Sequence, residues 1–178
     1  MEHRFVIGID IGKQGAICIQ EKDKQGRLMP MRCHKMPMIK TELDYQTLYK
    51  LLEPYEGGNG RVIFEKLGVI FGSSKQVAWS MGHQAGAVEM ACVALSIPFI
   101  KVPAKEWQKA MFTGVDEITR AANKLSKTGK PVRDTKAMAL VAIKRIFPTL
   151  KLTFGDRATV PDDGLIDAAL MSEYGKRL

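Results

Sequence analysis

The chain has little of what would fasten it covalently. Among 178 residues there are three cysteines, Cys18, Cys33 and Cys92, an odd number set far apart. That spacing implies neither a disulfide framework nor a zinc site, and it points to an intracellular, reducing location. Long hydrophobic runs are missing too. No stretch approaches the ~18 apolar residues of a membrane span, so no membrane partner is expected. The first residues include the charges of Glu2 and Arg4 and lack a secretory pattern. What is present suffices for a core: 46% of the residues are hydrophobic, and the length suits one domain over residues 1–178.

Acidic charge is scarce in one region only. Residues 101–151 hold 12 Lys/Arg against 4 Asp/Glu, whereas the remaining residues hold 15 of each. The whole net charge of +8 therefore lies in one third of the chain. Such a concentration is the electrostatic footprint of a polyanion-binding surface, most often for nucleic acid, although a solvated basic face has the same composition.

Carboxylates, in contrast, stand at conspicuous places. Phe5-Val6-Ile7-Gly8-Ile9 reads as a buried strand running into Asp10, and Gly12 and Gly15 allow a return into a second strand, Ala16-Ile17-Cys18-Ile19. A charge at the end of a buried strand is costly unless it is hydrogen-bonded, paired or bound to a cation. A turn-capping role is the plain alternative for Asp10. Leu28 to Met36 continues as a third strand, completing an antiparallel meander. Thr41-Glu42-Leu43-Asp44 resembles a capping box, with Leu43, Leu48, Leu51, Leu52 and Tyr55 on one helical face. Arg61-Val62-Ile63-Phe64-Glu65 is a fourth strand, again ending in a carboxylate. A helical crossover would set it parallel to the first, with Asp10 and Glu65 at the same sheet end.

A long helix is expected over about Ser74 to Leu95, its apolar stripe formed by Val77, Met81, Ala85, Val88, Cys92 and Leu95. Gly82 and Gly86 lower its propensity and imply close packing, within the monomer or across a dimer interface. His83 reads as a surface or packing residue. A fifth strand covers 97–102, and Pro103 opens a helix bearing Trp107, read as core with base stacking as the alternative. Residues 113–131 are polar and basic, and 126–131 read as a mobile loop. Asp134 caps a helix running to Phe147. At the C-terminal end, Pro161-Asp162-Asp163-Gly164-Leu165-Ile166-Asp167-Ala168-Ala169-Leu170 starts a last helix. There Asp163 and Asp167 are four residues apart on one face, a spacing at which like charges repel. Asp162 or Asp163 suits the N-cap; Asp167, among apolar neighbours, has no such local use.

Asp10, Glu65, Asp163 and Asp167 can thus meet if the last helix packs near the two strand ends. Oxygen-rich clusters suit Mg²⁺ or Mn²⁺, and two such ions about 4 Å apart hold a phosphodiester for hydrolysis. With a basic third beside it, the cluster reads as a nuclease site.

The order of these pieces resembles RuvC-type Holliday junction resolvases of the RNase H-like superfamily, the phage-like branch in particular. The resemblance rests on Ile7-Gly8-Ile9-Asp10-Ile11-Gly12, Phe64-Glu65, Met81-Gly82-His83-Gln84-Ala85-Gly86, Val102-Pro103-Ala104-Lys105-Glu106-Trp107 and Asp162 to Leu170. It implies an α/β fold with a mixed five-stranded sheet flanked by helices, the 1-2-3 meander antiparallel and the later strands parallel. It implies metal ligands at Asp10, Glu65 and Asp167. Where some members carry an acid three residues before the last ligand, this chain has Gly164, so Asp163 is taken as the fourth ligand, with Asp162 as backup. It further implies a homodimer, with Gly82 and Gly86 near its helix, that resolves four-way DNA junctions in recombination and repair. The expected reaction is a pair of symmetric nicks made with two Mg²⁺ per site, or Mn²⁺, leaving 5′-phosphate and 3′-hydroxyl ends. The location would be the cytoplasm or nucleoid of a host cell, or another DNA-containing compartment.

Phosphate contacts are assigned to Lys75, Lys105, Lys109, Lys124, Lys127, Lys130, Arg133 and Lys136. Lys136 is also a candidate for steadying transition-state charge, while Lys66 is expected to point to the other face of its strand. Three other readings fit parts of the pattern. An actin-like or sugar-kinase-like nucleotide-binding domain shares the strand-Asp-x-Gly hairpin but needs a second such segment, which the chain lacks. An RNA-processing nuclease of the same fold would have similar acids. A non-catalytic nucleic-acid binder would gain nothing from four acids facing phosphate.

Overall fold

The computed structural model describes residues 3–68, 74–120 and 131–178. Its centre is the strand that ends at Asp10. β1 (Phe5–Ile9) pairs antiparallel with β2 (Ala16–Glu21), which pairs antiparallel with β3 (Arg32–Lys35). On its other side β1 pairs parallel with β6 (Gly60–Glu65), and β6 pairs parallel with β7 (Phe99–Val102). The five-stranded sheet has the order β3-β2-β1-β6-β7. Meander, crossover and parallel pair are all as expected. Between β3 and β6 lie a small hairpin, β4 (Met38–Ile39) with β5 (Glu42–Leu43), and the helix α1 (Tyr45–Leu52).

Alternation along the strands divides the core into two layers, as expected for a sheet covered on both faces. Ile7, Ile9, Ile17, Ile19, Val62 and Phe64 point toward α1 and toward α2 (Lys75–Ala94), where Leu48, Leu52, Val88 and Cys92 meet them. Val6, Cys18 and Ile63 point the other way. They meet Trp107 of α3 (Ala104–Met111), Ala142 and Ile143 of α4 (Thr135–Ile146), and Leu165, Ala169 and Leu170 of α5 (Asp163–Lys176). Each fully buried aliphatic side chain contributes roughly 1.5–3 kcal/mol. Trp107 has no exposed surface, in agreement with the core reading.

α5 is covered on nearly every side, and it lies directly on β1 because residue 8 is glycine. A Cβ there would stand 2.0 Å from Ala168 O and 2.5 Å from Ser172 N. This contact fixes the height of Asp167 over the sheet.

Two expectations need correction, and a third is narrowed. The segment Thr41 to Asp44 is not a capping box. Glu42 and Leu43 form β5, and the cap is Asp44, whose Oδ1 accepts from Thr47 N–H at 3.1 Å while its Oδ2 accepts from Thr47 Oγ1 at 2.6 Å. Leu43 is buried from a strand, so the helical face is shorter than its spacing suggested. The absence of a disulfide framework is also overturned: Cys18 and Cys33 are disulfide-bonded, with Cα atoms 4.2 Å apart. They are direct partners in the β2–β3 register, a proximity that antiparallel pairing creates and linear spacing does not reveal. The cysteine argument for a reducing compartment falls with it. Finally, of the two packing reasons expected for Gly82 and Gly86, within the monomer or across a dimer interface, the described residues supply no partner for the first. Among the described residues nothing lies within 4 Å of a Cβ built at either. The expected loop at 126–131 lies outside the described residues.

Candidate active site

The parallel register sets Ile9 opposite Phe64, so Asp10 and Glu65 leave β1 and β6 at the same end of the sheet. The Asp10 backbone is held in the turn by its N–H, which donates to Ala16 O at 2.9 Å. α5 starts at the same end. Its cap is Asp162, whose Oδ1 accepts from Leu165 N–H at 2.9 Å. That occupies the backup ligand in capping and leaves Asp163, the first helical residue, to project outward. Position 164 admits no side chain at all: a Cβ would fall 2.3 Å from Gln14 O. An acid is excluded there by the β1–β2 turn packed against the helix start, which accounts for the four-residue spacing.

The acids sense one another. Burial raises Asp10 to about 8, and the charges of Asp167, Glu65, Asp162 and Asp163 push in the same direction. Asp167 rises to about 7, first through burial and then through Glu65 and Asp163, with Lys136 opposing. Burial also raises Glu65; the Trp107 indole N–H faces it and holds back part of the rise, although among the described residues Nε1 has no partner at full hydrogen-bond geometry. Asp163 is exposed, and its Oδ2 accepts from Lys136 Nζ at 2.5 Å. Like charges near one another in a partly buried place are stable only with protons or cations among them. Among the described residues, however, no three His, Cys, Asp or Glu side chains are gathered into a ready-made ligand set.

Asp10, Asp163 and Asp167 open onto a cavity of about 1040 Å³. Glu65 is not in its lining. The opposite wall is the first half of α2, with Trp79, Ser80 and Gln84, and the rim includes Lys13 and Lys136. A neighbouring recess of about 520 Å³ shares Lys136 and Asp163 and adds Arg120.

Among the solved structures the chain is similar to are two of RuvC. The Thermus thermophilus RuvC structure is 16% identical, covers 97% of this chain and 95% of its own, and has a TM-score of 0.55. T. thermophilus RuvC in complex with Holliday junction substrate is also 16% identical, covers 96% of this chain and 90% of its own, and has a TM-score of 0.51. The fold is RNase H-like, of the RuvC type. No family model and no curated protein matches the chain.

On this RNase H-like frame the basic candidates scatter. Among the described candidates, Lys136 alone joins the acids. Lys75 is exposed at the first position of α2, and Lys105 and Lys109 are exposed on α3, away from the cavity lining. Arg133 is exposed, 4.0 Å from Glu117. Lys66 is exposed just beyond β6. Lys124, Lys127 and Lys130 lie outside the described residues. Lys13, Trp79, Gln84 and Arg120 were missed as candidates for the site. Lys13, in the Gly12–Gly15 turn, had a usable signal in its closeness to Asp10. Gln84 had none: it is buried, with its amide nitrogen donating to Ser80 Oγ at 3.1 Å and its amide oxygen without a partner among the described residues.

Proposed function

We propose that this protein is a metal-dependent endonuclease that resolves four-way DNA junctions by paired symmetric nicks, leaving 5′-phosphate and 3′-hydroxyl ends. The carrying observation is the meeting of Asp10, Glu65, Asp163 and Asp167 at one sheet end, where burial and neighbouring carboxylates raise the pKa of Asp10 and Asp167 beside a broad cavity. The fold shared with a RuvC captured on a Holliday junction supports the substrate class.

The donor set fits hard divalent cations. It consists of oxygens only, with no thiolate or imidazole, and its like charges call for positive charge among them. Two Mg²⁺, or Mn²⁺, would be held by these four acids and would supply a lowered water pKa and neutralisation of the departing oxygen. The rest is positioning by the chain. Asp162 fixes the start of α5, so Asp163 and Asp167 keep their spacing on one face. Gly8 lets α5 sit close enough for Asp167 to approach Asp10. The Trp107 indole, facing Glu65, holds back part of the rise in its pKa. Lys136 lines the cavity beside Asp163, where its ammonium would steady phosphate charge.

The acting unit is a homodimer. Gly82, Gly86, Met90 and Val93 form one exposed stripe on α2, with Met90 61% and Val93 59% exposed, and the two glycines permit close backbone approach. Paired cutting of opposed strands requires two such sites.

The test is cleavage of a labelled four-way junction with Mg²⁺, run beside linear duplex, a flap and an RNA hairpin. Paired nicks confined to the junction are expected. Cutting of RNA or flaps instead reassigns the substrate, and no metal-dependent cutting of any of them overturns the nuclease reading.

A further inference from the structure

The disulfide offers two unequal sulfurs. Cys18 has no exposed surface and packs in the core layer under α5, whereas Cys33 is half-buried and lines a surface recess of about 380 Å³. That volume falls within the roughly 300–1,000 Å³ of small-molecule sites. Met31, Phe147, Phe154, Lys151 and Leu165 share the lining, and among the described residues no Asp or Glu does. Lys35 Nζ lies over the Phe154 ring, 5.5 Å from its centroid, and adds a second ammonium beside Lys151. Lys151 also meets Asp156 at 3.0 Å, an exposed pair of the kind that holds weakly. Behind Cys33, the Cys18 Sγ lies 3.6 Å from Leu165 O. A disulfide sulfur has no proton to give to that carbonyl, but a thiol has. Leu165 stands in α5 between Asp163 and Asp167.

Thiol–disulfide exchange requires a thiolate to reach one of the two sulfurs, and access decides which. Only Cys33 borders open space. We propose that Cys33 is a thiol-exchange site for a small anionic thiol, with Cys18 as the buried leaving and resolving group. The incoming thiolate attacks Cys33 Sγ and forms a new S–S bond there. The Cys18–Cys33 bond breaks, and its electron pair leaves with Cys18 as a thiolate. Cys18 then takes a proton from water and donates S–H to Leu165 O. Return attack by the Cys18 thiolate on Cys33 restores the disulfide and releases the small thiol. The recess, Lys35 and Lys151 favour a thiol that carries carboxylates. Cys92 does not compete, because it is buried and its thiol is pushed up to about 12, chiefly by burial. A group held on Cys33 shares the recess with Leu165, so α5 feels the exchange between two of the site's acids. The exchange itself is independent of the nuclease reading; its effect on cutting rests on that reading.

The test starts from the full chain with its disulfide closed, so that alkylation after unfolding without reductant marks Cys92 alone. Reduced glutathione is added to the folded protein, the reaction is stopped with acid, free thiols are alkylated, and the peptides are identified by mass. Glutathione is expected on Cys33 and the alkyl group on Cys18. In the folded state and with oxidised glutathione, Cys18→Ser should form a lasting adduct at Cys33, and Cys33→Ser should react at Cys18 at least about tenfold more slowly. The wild-type adduct decides the matter should either variant fail to fold. Lys151→Glu should slow glutathione about threefold relative to the uncharged 2-mercaptoethanol. Alkylation of all three cysteines without reductant, an adduct on Cys18 in place of Cys33, or no adduct at all overturns the site. An unchanged ratio of the two thiols in Lys151→Glu overturns the preference for an anionic one. Junction cutting with Mg²⁺ by Cys18→Ser should fall about threefold or more once Cys33 carries glutathione, since small displacements of reacting groups are costly. Equal cutting with and without the adduct overturns the link to α5. No metal-dependent cutting by any form overturns the nuclease reading and leaves the exchange site standing.

Discussion

Asp10 and Asp167 carry the pH behaviour of the site. Both are raised in the folded chain, to about 8 and about 7, above the ~3.9 of an unfolded aspartate. Between those values the folded state holds protons that the unfolded chain has released, so these two groups make stability fall as pH rises from about 4 to about 8. Asp23 and Asp44 are lowered by their hydrogen bonds, and their contribution is lost only below about pH 4, outside that window. The melting temperature of the EDTA-treated protein is therefore expected to decline between pH 5 and pH 8. Mg²⁺ should raise it more at pH 8 than at pH 5, and Asp10→Asn should flatten the decline. A metal-free melting curve that improves steadily toward pH 8 contradicts the coupling of these acids. The catalytic assignment is tested separately. Asp10→Asn or Glu65→Gln should lower junction cutting by at least about 10³-fold, roughly 4 kcal/mol of transition-state stabilisation, with binding largely kept. Retained cutting in both variants removes these acids from the chemistry.

At the scale of elements, the site exists because α5 rests on β1 without an intervening side chain. Gly8→Ala would bring a methyl group into the α5 backbone at Ala168 and Ser172, where no flexible side chain can yield. The expected cost is about 3 kcal/mol in urea unfolding, at the upper end of overpacking effects. Cutting should be lost more than stability alone explains, because Asp167 shifts away from Asp10. A variant with wild-type stability and activity shows that this contact does not set the acid geometry. The proposed homodimer would join through the exposed stripe of α2. Met90→Glu together with Val93→Glu should give a monomer by analytical ultracentrifugation and replace paired nicks with single ones, while the fold persists because both positions are exposed. A double variant that stays dimeric and cuts in pairs moves the interface elsewhere.

Across the whole molecule, charge is segregated: acids gather at one sheet end, and the net +8 lies in residues 101–151. Lys127→Ala with Lys130→Ala should weaken junction binding and reduce the log-affinity against log-salt slope by about one to two. An unchanged slope separates this segment from phosphate. Much of this plan was legible in the order of residues. β-Branched runs ending in Asp10 and Glu65 are local patterns of period two, and a helix between parallel strands has a preferred hand and therefore a preferred end for both acids. The capping chemistry of Asp134 and the burial of Trp107 follow from residue type in the same local way. What escaped was decided by contacts between distant segments. Strand register, not spacing, joined Cys18 to Cys33, and a two-residue hairpin took Glu42 and Leu43 out of a plausible capping box. The close passage of Gln14 over Gly164 excludes an acid three residues before Asp167, and the packing of α2 over the sheet put Trp79 and Gln84 into the lining of the cavity that holds Asp10 and Asp167. Local propensity acts through neighbours along the chain and can be read from it. Which side chain stands across a cavity depends on how whole elements pack, and that is settled only when their surfaces meet.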